Sequence, residues 1–349
     1  MQADDGADRQ RERALIADVG GTNARFALAE VRPAGRPRPV AVARFAVAHF
    51  TTFDEAVAQY LREAGARPSR AVFAVAAPVL GSVAQFTNSP WQIDAASLRA
   101  RFGFDSVRLV NDFAAMSAAV PQLETGELCP LGSLSVPDLR DGRDRVLGVI
   151  GPGTGLGVGL LLVRGGRTIV IETEGGHASF APASEEELAV LRVLRDRFGR
   201  VSNERLISGP GLVNLYAALA SVAGVDAPFT TPEAIVGAAQ EGGASLASRA
   251  VEILSELLGS VAGDLVLTSG AWDGVCLAGG LVEPLLPWLQ RRFRARFEDK
   301  GRRSAEMARV PTLAILRPDA GLLGAAAWAA EGLVEPARSA AQGAFTGVG

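Results

Sequence analysis

The chain of 349 residues contains very little lysine, cysteine and histidine. Lys300 is the only lysine, so almost all positive charge belongs to arginine. The two cysteines, Cys129 and Cys276, lie far apart, which argues against a disulfide framework and fits a reducing, cytoplasmic location. Since His49 and His177 are the only histidines, the sequence has no Cys/His constellation for a structural zinc site.

The sequence also lacks a strong charge of one sign and a membrane signal. Its 35 Lys and Arg against 38 Asp and Glu give a net charge of −3, so we expect no nucleic-acid partner. The uncharged run 146–163 is rich in glycine, a poor helix former, and we interpret it as two buried strands around a turn. Residues 1–13 have no apolar segment typical of a signal peptide, and we expect them to be disordered.

The order of the apolar runs predicts an α/β protein with two similar halves. A buried run at 14–19 ends in a glycine turn and is followed by a second run at 25–31. The same strand–turn–strand pattern returns at 146–163. Helices are predicted at 53–64 and 113–119, among others, in alternation with strands.

A chain of this length is expected to fold as more than one domain. We predict a small α/β domain (14–121 with 315–334), a large α/β domain (122–314) and a flexible tail (335–349).

The first motif is the glycine turn Asp18-Val19-Gly20-Gly21-Thr22-Asn23-Ala24-Arg25. A phosphate group needs several converging backbone N–H groups, and glycine lets a backbone come that close. Asp18, at the strand end, is suited to hold Mg²⁺ directly or through water, while Thr22 and Asn23 can donate to phosphate oxygens. A plain hairpin with an exposed acid is the alternative, and this motif alone does not decide between the two.

The second motif, Gly151-Pro152-Gly153-Thr154-Gly155-Leu156-Gly157, also lies between two apolar runs. Neither turn is followed by Gly-Lys-Ser/Thr, which excludes a P-loop. Phosphate charge must therefore be met by Mg²⁺, backbone amides and arginine. A tight hairpin within a buried sheet is the alternative, but two such turns together favour a pair that clamps ATP.

A further glycine pair follows the short apolar run that ends at Ala278. Gly279 and Gly280 come where the chain turns over, and a bare backbone there can lie against an adenine or a ribose. An ordinary strand-to-helix turn explains the pair equally well.

The pair Asn111-Asp112 ends a predicted strand. A carboxylate at the carboxyl end of a parallel strand opens into the crevice where α/β proteins bind ligands. As a general base, Asp112 would accept the proton of a sugar hydroxyl that attacks a γ-phosphate. The alternative is a helix N-cap, for which Asn and Asp are both favoured, and without context the cap is the better interpretation.

Three more polar residues are candidates for binding sugar hydroxyls. Glu174 and His177 frame the glycine pair of Glu174-Gly175-Gly176-His177, and Glu204 follows at the start of a predicted helical region. Carboxylates and imidazoles bind several hydroxyls at once. A structural histidine and a surface acid are the alternatives.

Taken in order, these motifs resemble the bacterial glucokinase family of the hexokinase/actin/Hsp70-like ATPase superfamily. The likeness covers about 14–330 and includes three further segments: Thr87-Asn88-Ser89-Pro90-Trp91, residues 205–216 and residues 297–302. It implies a two-lobed actin-like ATPase fold of duplicated ribonuclease-H-like domains, with the active site in the cleft between the lobes.

The resemblance also implies the roles of the site residues. Asp112 would be the base, and glucose would be bound by Asn88, Asn111, Asp112, Glu174, His177 and Glu204. ATP with Mg²⁺ would be bound by Asp18, Gly20, Gly21, Thr22, Asn23, Arg25, Gly153, Thr154, Gly155, Gly279 and Gly280. The family is cytoplasmic and commonly dimeric, so a homodimer without a membrane partner is expected.

Three positions depart from the family pattern: Ala77 stands where glycine is usual, Ser82 where an acid or amide is frequent, and Ser179 where aspartate commonly follows the histidine. They leave open a broader hexose kinase or an N-acetylhexosamine kinase of the repressor/ORF/kinase type. That type typically has a cysteine-rich zinc motif, and no cysteine lies near His177. A non-catalytic ATP-binding regulator with this fold is the remaining alternative.

Overall fold

The computed structural model describes residues 13–30, 36–86, 91–242 and 245–330. These residues form fourteen β-strands and eleven α-helices. The strands are β1 (Arg13–Val19), β2 (Asn23–Glu30), β3 (Arg38–Ala46), β4 (Arg70–Val75), β5 (Val79–Leu80), β6 (Val83–Gln85), β7 (Gln92–Asp94), β8 (Ser106–Asn111), β9 (Leu128–Pro130), β10 (Arg145–Pro152), β11 (Leu156–Arg164), β12 (Arg167–Thr173), β13 (Val275–Leu277) and β14 (Thr312–Ile315). The helices are α1 (Phe53–Ala64), α2 (Ala95–Phe102), α3 (Asp112–Ala119), α4 (Glu185–Phe198), α5 (Gly209–Ala223), α6 (Pro232–Gln240), α7 (Leu246–Ser269), α8 (Val282–Trp288), α9 (Arg294–Glu298), α10 (Ser304–Met307) and α11 (Ala320–Ala329).

The first sheet has the strand order β3-β2-β1-β4-β8. Strands β1 and β2 form the predicted antiparallel hairpin, in which Asp18 lies opposite Arg25. Strands β4 and β8 add to β1 in parallel. The carboxyl ends of these three parallel strands therefore lie at one edge of the sheet, which brings Asp18 and Asn111 to that edge.

The second sheet repeats this arrangement, with the order β12-β11-β10-β13-β14-β9. Strands β10 and β11 form an antiparallel hairpin over 145–164, as predicted for the glycine-rich run, and β13 and β14 extend the sheet in parallel. The repeat predicted from the sequence is thus a repeat of topology. Within the described residues, no helix is long and apolar enough to cross a membrane. Strands β5, β6 and β7 form a small separate sheet.

Helices α3 and α11 form the layer between the two large sheets. One continuous apolar core includes residues of both helices and of both sheets, among them Ala115, Leu323, Val72 and Val149. Helices α1 and α2 cover the other face of the first sheet, and α4 to α9 cover the second. The predicted lead and tail lie outside the described residues, apart from Arg13, which begins β1.

The close contact between α3 and α11 depends on Gly324. A Cβ atom at this position would lie 1.7 Å from the carbonyl oxygen of Ala115, so the two helix backbones would have to move apart. We expect Gly324→Ala to lower the free energy of unfolding by about 2–3 kcal/mol. Urea denaturation measures this change.

Gly237→Ala in α6 is the matched control, because no atom within 4 Å would meet the added methyl group. This control should raise stability by about 0.5–1 kcal/mol, since alanine favours a helix over glycine. Equal stabilities for Gly324→Ala and the native protein would show that α3 and α11 are not packed this closely.

Candidate active site

A single cleft of about 860 Å³ joins the two large sheets at the carboxyl ends of their parallel strands. It brings together eleven of the residues predicted from the sequence: Asp18, Arg25, Asn111, Asp112, Gly153, Thr154, Gly155, Glu174, Glu204, Gly279 and Gly280. These come from segments as much as 262 positions apart in the chain, so the fold assembles them.

The other predicted residues that the structure describes do not line this cleft. Gly21 and Thr22 lie at the tip of the β1–β2 hairpin, whose turn is closed by a hydrogen bond from the backbone N–H of Gly20 to the carbonyl of Asn23. The side chain of His177 is 57% exposed, and its Nε2 lies 3.8 Å from an oxygen of Glu174. Asn88 lies outside the described residues.

The sequence left open whether the pair Asn111-Asp112 caps a helix or offers a carboxylate to a ligand. In the structure, each of the two residues is placed for one of these roles. Asn111 is the N-cap of α3, because its Oδ1 accepts hydrogen bonds from the backbone N–H groups of Phe113 (2.9 Å) and Ala114 (3.2 Å). Asp112 is the first residue of the helix, and its Oδ1 accepts from the Phe113 N–H at 2.8 Å. No hydrogen bond to Oδ2 of Asp112 is made within the described part of the chain, so this oxygen is available to a substrate.

Burial, and to a smaller extent the neighbouring charge of Asp18, raises the pKa of Asp112 to about 6, against smaller opposing effects of backbone hydrogen bonds. A carboxylate with a pKa between that of water-exposed acids and neutral pH is suited to accept a proton at pH 7. The charge of Asp18 thus acts on Asp112 across the cleft.

Asp18 lies where β1 meets the start of α11. Burial raises its pKa, whereas Arg25, 3.3 Å away, opposes this effect. A Cβ atom on Gly321 would lie 2.9 Å from Oδ2 of Asp18, so glycine is needed for the carboxylate to approach the first turn of α11. Helix N-termini favour negative charge. Sequence reasoning missed Gly321, because nothing in its local sequence distinguishes it from an ordinary helix residue.

The loop Gly153–Gly155 is tied to the helical region that follows it. The backbone N–H of Leu156 donates to Oε2 of Glu204 at 2.9 Å, and a Cβ on Gly155 would lie 2.6 Å from the same oxygen. The N–H of Gly209, at the start of α5, donates to the carbonyl of Gly153 at 2.8 Å. Glu204, which the sequence predicts as a sugar ligand, positions the glycine loop in the structure.

The two glycine segments of the second sheet pack backbone against backbone. A Cβ on Gly151 would lie 2.1 Å from the carbonyl oxygen of Ala278, and Gly279, with a φ of 100°, meets the Pro152 carbonyl in the same way. The ring of Phe113 fills the space beside Gly157, where an added Cβ would lie 2.3 Å from it. Phe113 thereby joins the helix that begins at Asp112 to the loop, a contact that the sequence does not reveal.

Both large sheets have a hairpin followed by two parallel strands, with β9 added at the edge of the second, and they meet at one cleft, as in the actin-like ATPase fold. The family model for glucokinase matches residues 15–332. The chain belongs to the glucokinase family.

Known proteins of this family are similar to the chain over most of its length. The glucokinase of Stenotrophomonas maltophilia (strain R551-3) is 48% identical over 318 residues, which cover 91% of this chain and 95% of that protein. The crystal structure of glucokinase from an Antarctic psychrotroph superposes with a TM-score of 0.81 at 32% identity, covering 91% of this chain and 98% of that one. The glucokinase of Balamuthia mandrillaris in complex with glucose shares the fold, with a TM-score of 0.71, 22% identity and coverage of 90% and 92%. The family and the fold class predicted from the motifs are confirmed.

Proposed function

We propose that this protein transfers the γ-phosphoryl group of ATP to the 6-hydroxyl of glucose, with Asp112 as the general base. Phosphorylation of glucose is the activity of the family to which the chain belongs. The observation that carries the proposal is the half-buried carboxylate of Asp112, whose Oδ2 accepts no hydrogen bond from the described residues, in a cleft shared with both glycine segments.

Asp112 acts on the attacking oxygen. Its free Oδ2 accepts the proton of the sugar hydroxyl as the hydroxyl oxygen bonds to the γ-phosphorus, while the bond from that phosphorus to the bridging oxygen breaks and ADP leaves. The same contact orients the nucleophile. The hydrogen bond from the Phe113 N–H fixes the other oxygen, so the carboxylate is held in one orientation. Because Asn111 uses its Oδ1 as the helix cap, its amide N–H groups remain to donate to the sugar.

The sugar is placed by polar residues on the second-sheet side of the cleft. Glu174 and Glu204 line the cleft and accept hydrogen bonds from sugar hydroxyls. His177 adjoins Glu174, with its Nε2 3.8 Å from a carboxylate oxygen, and we place both in the sugar site. Asn88 completes the proposed glucose set. The glucose complex of the Balamuthia mandrillaris glucokinase supports this substrate.

ATP with Mg²⁺ is the proposed phosphoryl donor. Mg²⁺ in kinases is held by one or two carboxylates together with substrate phosphates and water. The donor set fits, since Asp18 is a half-buried carboxylate that lines the cleft and no cluster of three metal-binding side chains is present in the described residues. Mg²⁺ neutralises charge on the transferring phosphoryl group when it is bound. Gly153, Thr154, Gly279 and Gly280 offer backbone to the nucleotide.

We further propose that the protein acts in the cytoplasm as a homodimer of two-domain subunits. The family resemblance supports both statements, and the free thiols of Cys129 and Cys276 are consistent with a reducing compartment. In the proposed division, 14–121 with 315–334 forms the small domain and 122–314 the large one, and they close on the sugar to exclude water. Sedimentation with and without glucose measures both the mass and the compaction.

A coupled assay with MgATP tests the function against glucose, mannose, fructose and N-acetylglucosamine. A kcat/KM for glucose far above the others supports glucokinase activity. A flat profile would instead indicate a broad hexose kinase, with Ala77, Ser82 and Ser179 as the first residues to examine. The absence of any product, with ATP binding retained, would favour a non-catalytic regulator.

The raised pKa of Asp112 predicts how the rate depends on pH. The base must be deprotonated, so kcat/KM for glucose should fall as the pH drops through about 6 and should level off above it. An ordinary carboxyl would place this break at about 4. Initial rates at saturating MgATP between pH 5 and 8 measure the profile. Glu174→Gln is the control, because it removes a nearby carboxylate and should keep the break. A rate independent of pH over this range would contradict the assignment.

A further inference from the structure

Three of the proposed sugar ligands lie on two short turns that contact each other. Glu174 and His177 belong to the turn Gly175–His177, with Glu174 as its N-cap, and Glu204 belongs to the turn Asn203–Arg205. The side chains of Glu174 and His177 are 90% and 57% exposed, so packing around them does little to fix their positions. The contacts that hold the first turn against the second therefore decide how well these ligands are placed for a sugar.

A short backbone pairing joins the two turns. Residues 178–180 run antiparallel to residues 201–203, through a bridge between Ser179 and Ser202 and backbone hydrogen bonds of 2.9 and 3.1 Å on either side of it. Because the second segment then enters its own turn, the pairing ends one residue short of His177. The backbone alone therefore leaves the peptide that carries this histidine outside the paired segment.

Arg200 supplies the bond that the backbone pairing lacks. Its Nη2 donates to the carbonyl oxygen of His177 at 2.6 Å, and the same nitrogen lies 3.5 Å from Oγ of Ser179. Arg200 follows Gly199, which ends α4 with a φ of 69°, and the backbone N–H of Arg200 donates to the carbonyl of Phe198 at 2.8 Å. The arginine is thus held at its own backbone and reaches across to the turn that carries His177.

The charge of Arg200 strengthens this hydrogen bond. A charged donor makes a hydrogen bond about twice as strong as a neutral donor does. No carboxylate in the described part of the chain lies within ion-pair distance of Arg200, so no ion pair competes with the carbonyl. Ser179 stands where aspartate commonly follows the histidine, and an aspartate there would bring a carboxylate next to the same nitrogen. The serine leaves the guanidinium to the carbonyl of His177.

We propose that Arg200 is a positioning residue for the sugar. It holds the turn that carries His177 against the turn that carries Glu204, so that the sugar meets a preformed set of ligands. Arg200 does not line the cleft, and it acts through His177 without contact to the sugar or to ATP. The identity of the sugar rests on the proposed function, whereas the bond between the two turns does not.

Arg200→Gln should raise the KM for glucose by about 5- to 10-fold, because one charged hydrogen bond is lost at an exposed position. The values of kcat and of the KM for ATP should stay nearly unchanged, as expected for a residue that acts on sugar binding alone. Arg200→Lys retains a charged donor and should recover most of the loss. Steady-state rates with varied glucose and varied MgATP measure these constants.

Arg195→Gln is the matched control. It removes the same charge from an exposed position near the end of α4, where the arginine side chain makes no hydrogen bond to the described residues. Its KM for glucose should equal that of the native protein. A fall in kcat together with a rise in both KM values for Arg200→Gln would indicate a general loss of structure and would overturn the positioning role.

Hydrogen exchange of the backbone amides measures the bond between the turns without any substrate. The amides of residues 175–180 should exchange faster in Arg200→Gln than in the native protein, and at the native rate in Arg195→Gln. Exchange at the native rate in Arg200→Gln would overturn the bond. Faster exchange with an unchanged Kd for glucose, measured by calorimetry without ATP, would overturn its role in sugar binding.

The same calorimetry separates this inference from the proposed function. If the native protein binds no glucose, the proposed substrate is wrong, and with it the role of Arg200 toward glucose. The exchange rates still show whether Arg200 holds the two turns together, because they need neither sugar nor ATP.

Discussion

Asp112→Asn should lower kcat for glucose phosphorylation by about 100- to 10,000-fold, the usual contribution of a general base. Asparagine has nearly the same shape and keeps the hydrogen bond from the Phe113 N–H to its side-chain oxygen. It cannot accept the proton of the sugar hydroxyl. The KM for glucose should change little, because the contacts that place the sugar remain. Steady-state rates in the coupled assay give both constants.

The stability of the same variant provides its control. Burial raises the pKa of Asp112, so the folded protein retains a proton that the unfolded chain releases between about pH 4 and 6. Native stability therefore decreases as the pH rises through this window. Asparagine carries no charge, and at pH 7 the variant should be more stable by about 1–3 kcal/mol. A protein that is more stable and yet inactive cannot have lost its activity through unfolding. An unchanged kcat would remove Asp112 from the mechanism.

The fold could be predicted from the sequence where the signals are local. Apolar runs of strand length on either side of glycine turns indicated both hairpins, because a turn that needs glycine and a strand that needs burial are visible within about ten residues. The helix predicted at 53–64 coincides with α1, since apolar spacing defines it and Gly65 ends it with a φ of 58°. The order of the motifs then indicated the family.

The arrangement of the site was less accessible, because it depends on contacts between distant segments. The bond between Glu204 and the Leu156 N–H spans 48 residues, and Gly321 meets Asp18 from the other end of the chain. No local pattern encodes such pairs. The turn from Gly20 to Asn23 has a clear local pattern, which suggests phosphate binding. The pattern does not predict where each side chain lies, and in the structure Asn23 lines a neighbouring cavity.

Gly151→Ala should lower kcat/KM for ATP by about 100-fold, because it separates the two glycine segments that form the proposed nucleotide site. The added Cβ would lie 2.1 Å from the Ala278 carbonyl oxygen and 2.9 Å from the ring of Phe113. Neither neighbour is the end of a flexible chain, so the backbones must move apart by about 1 Å. That movement displaces Gly279 on one side and the start of α3 on the other. Kinetics with varied MgATP at saturating glucose measure the loss.

Gly126→Ala is the matched control, since its added methyl group meets nothing within 4 Å and the residue does not line the cleft. Thermal unfolding of both variants shows whether Gly151→Ala remains folded, and we expect a loss of about 1–3 kcal/mol from the forced contact. If Gly151→Ala is folded and binds ATP with the affinity of the native protein, nucleotide binding does not depend on the spacing of these two segments. If both ATP binding and turnover fall while the control stays native, the close approach of two bare backbones is what shapes the nucleotide site. Backbone groups of these segments would then bind the phosphates in a chain that has a single lysine and no P-loop.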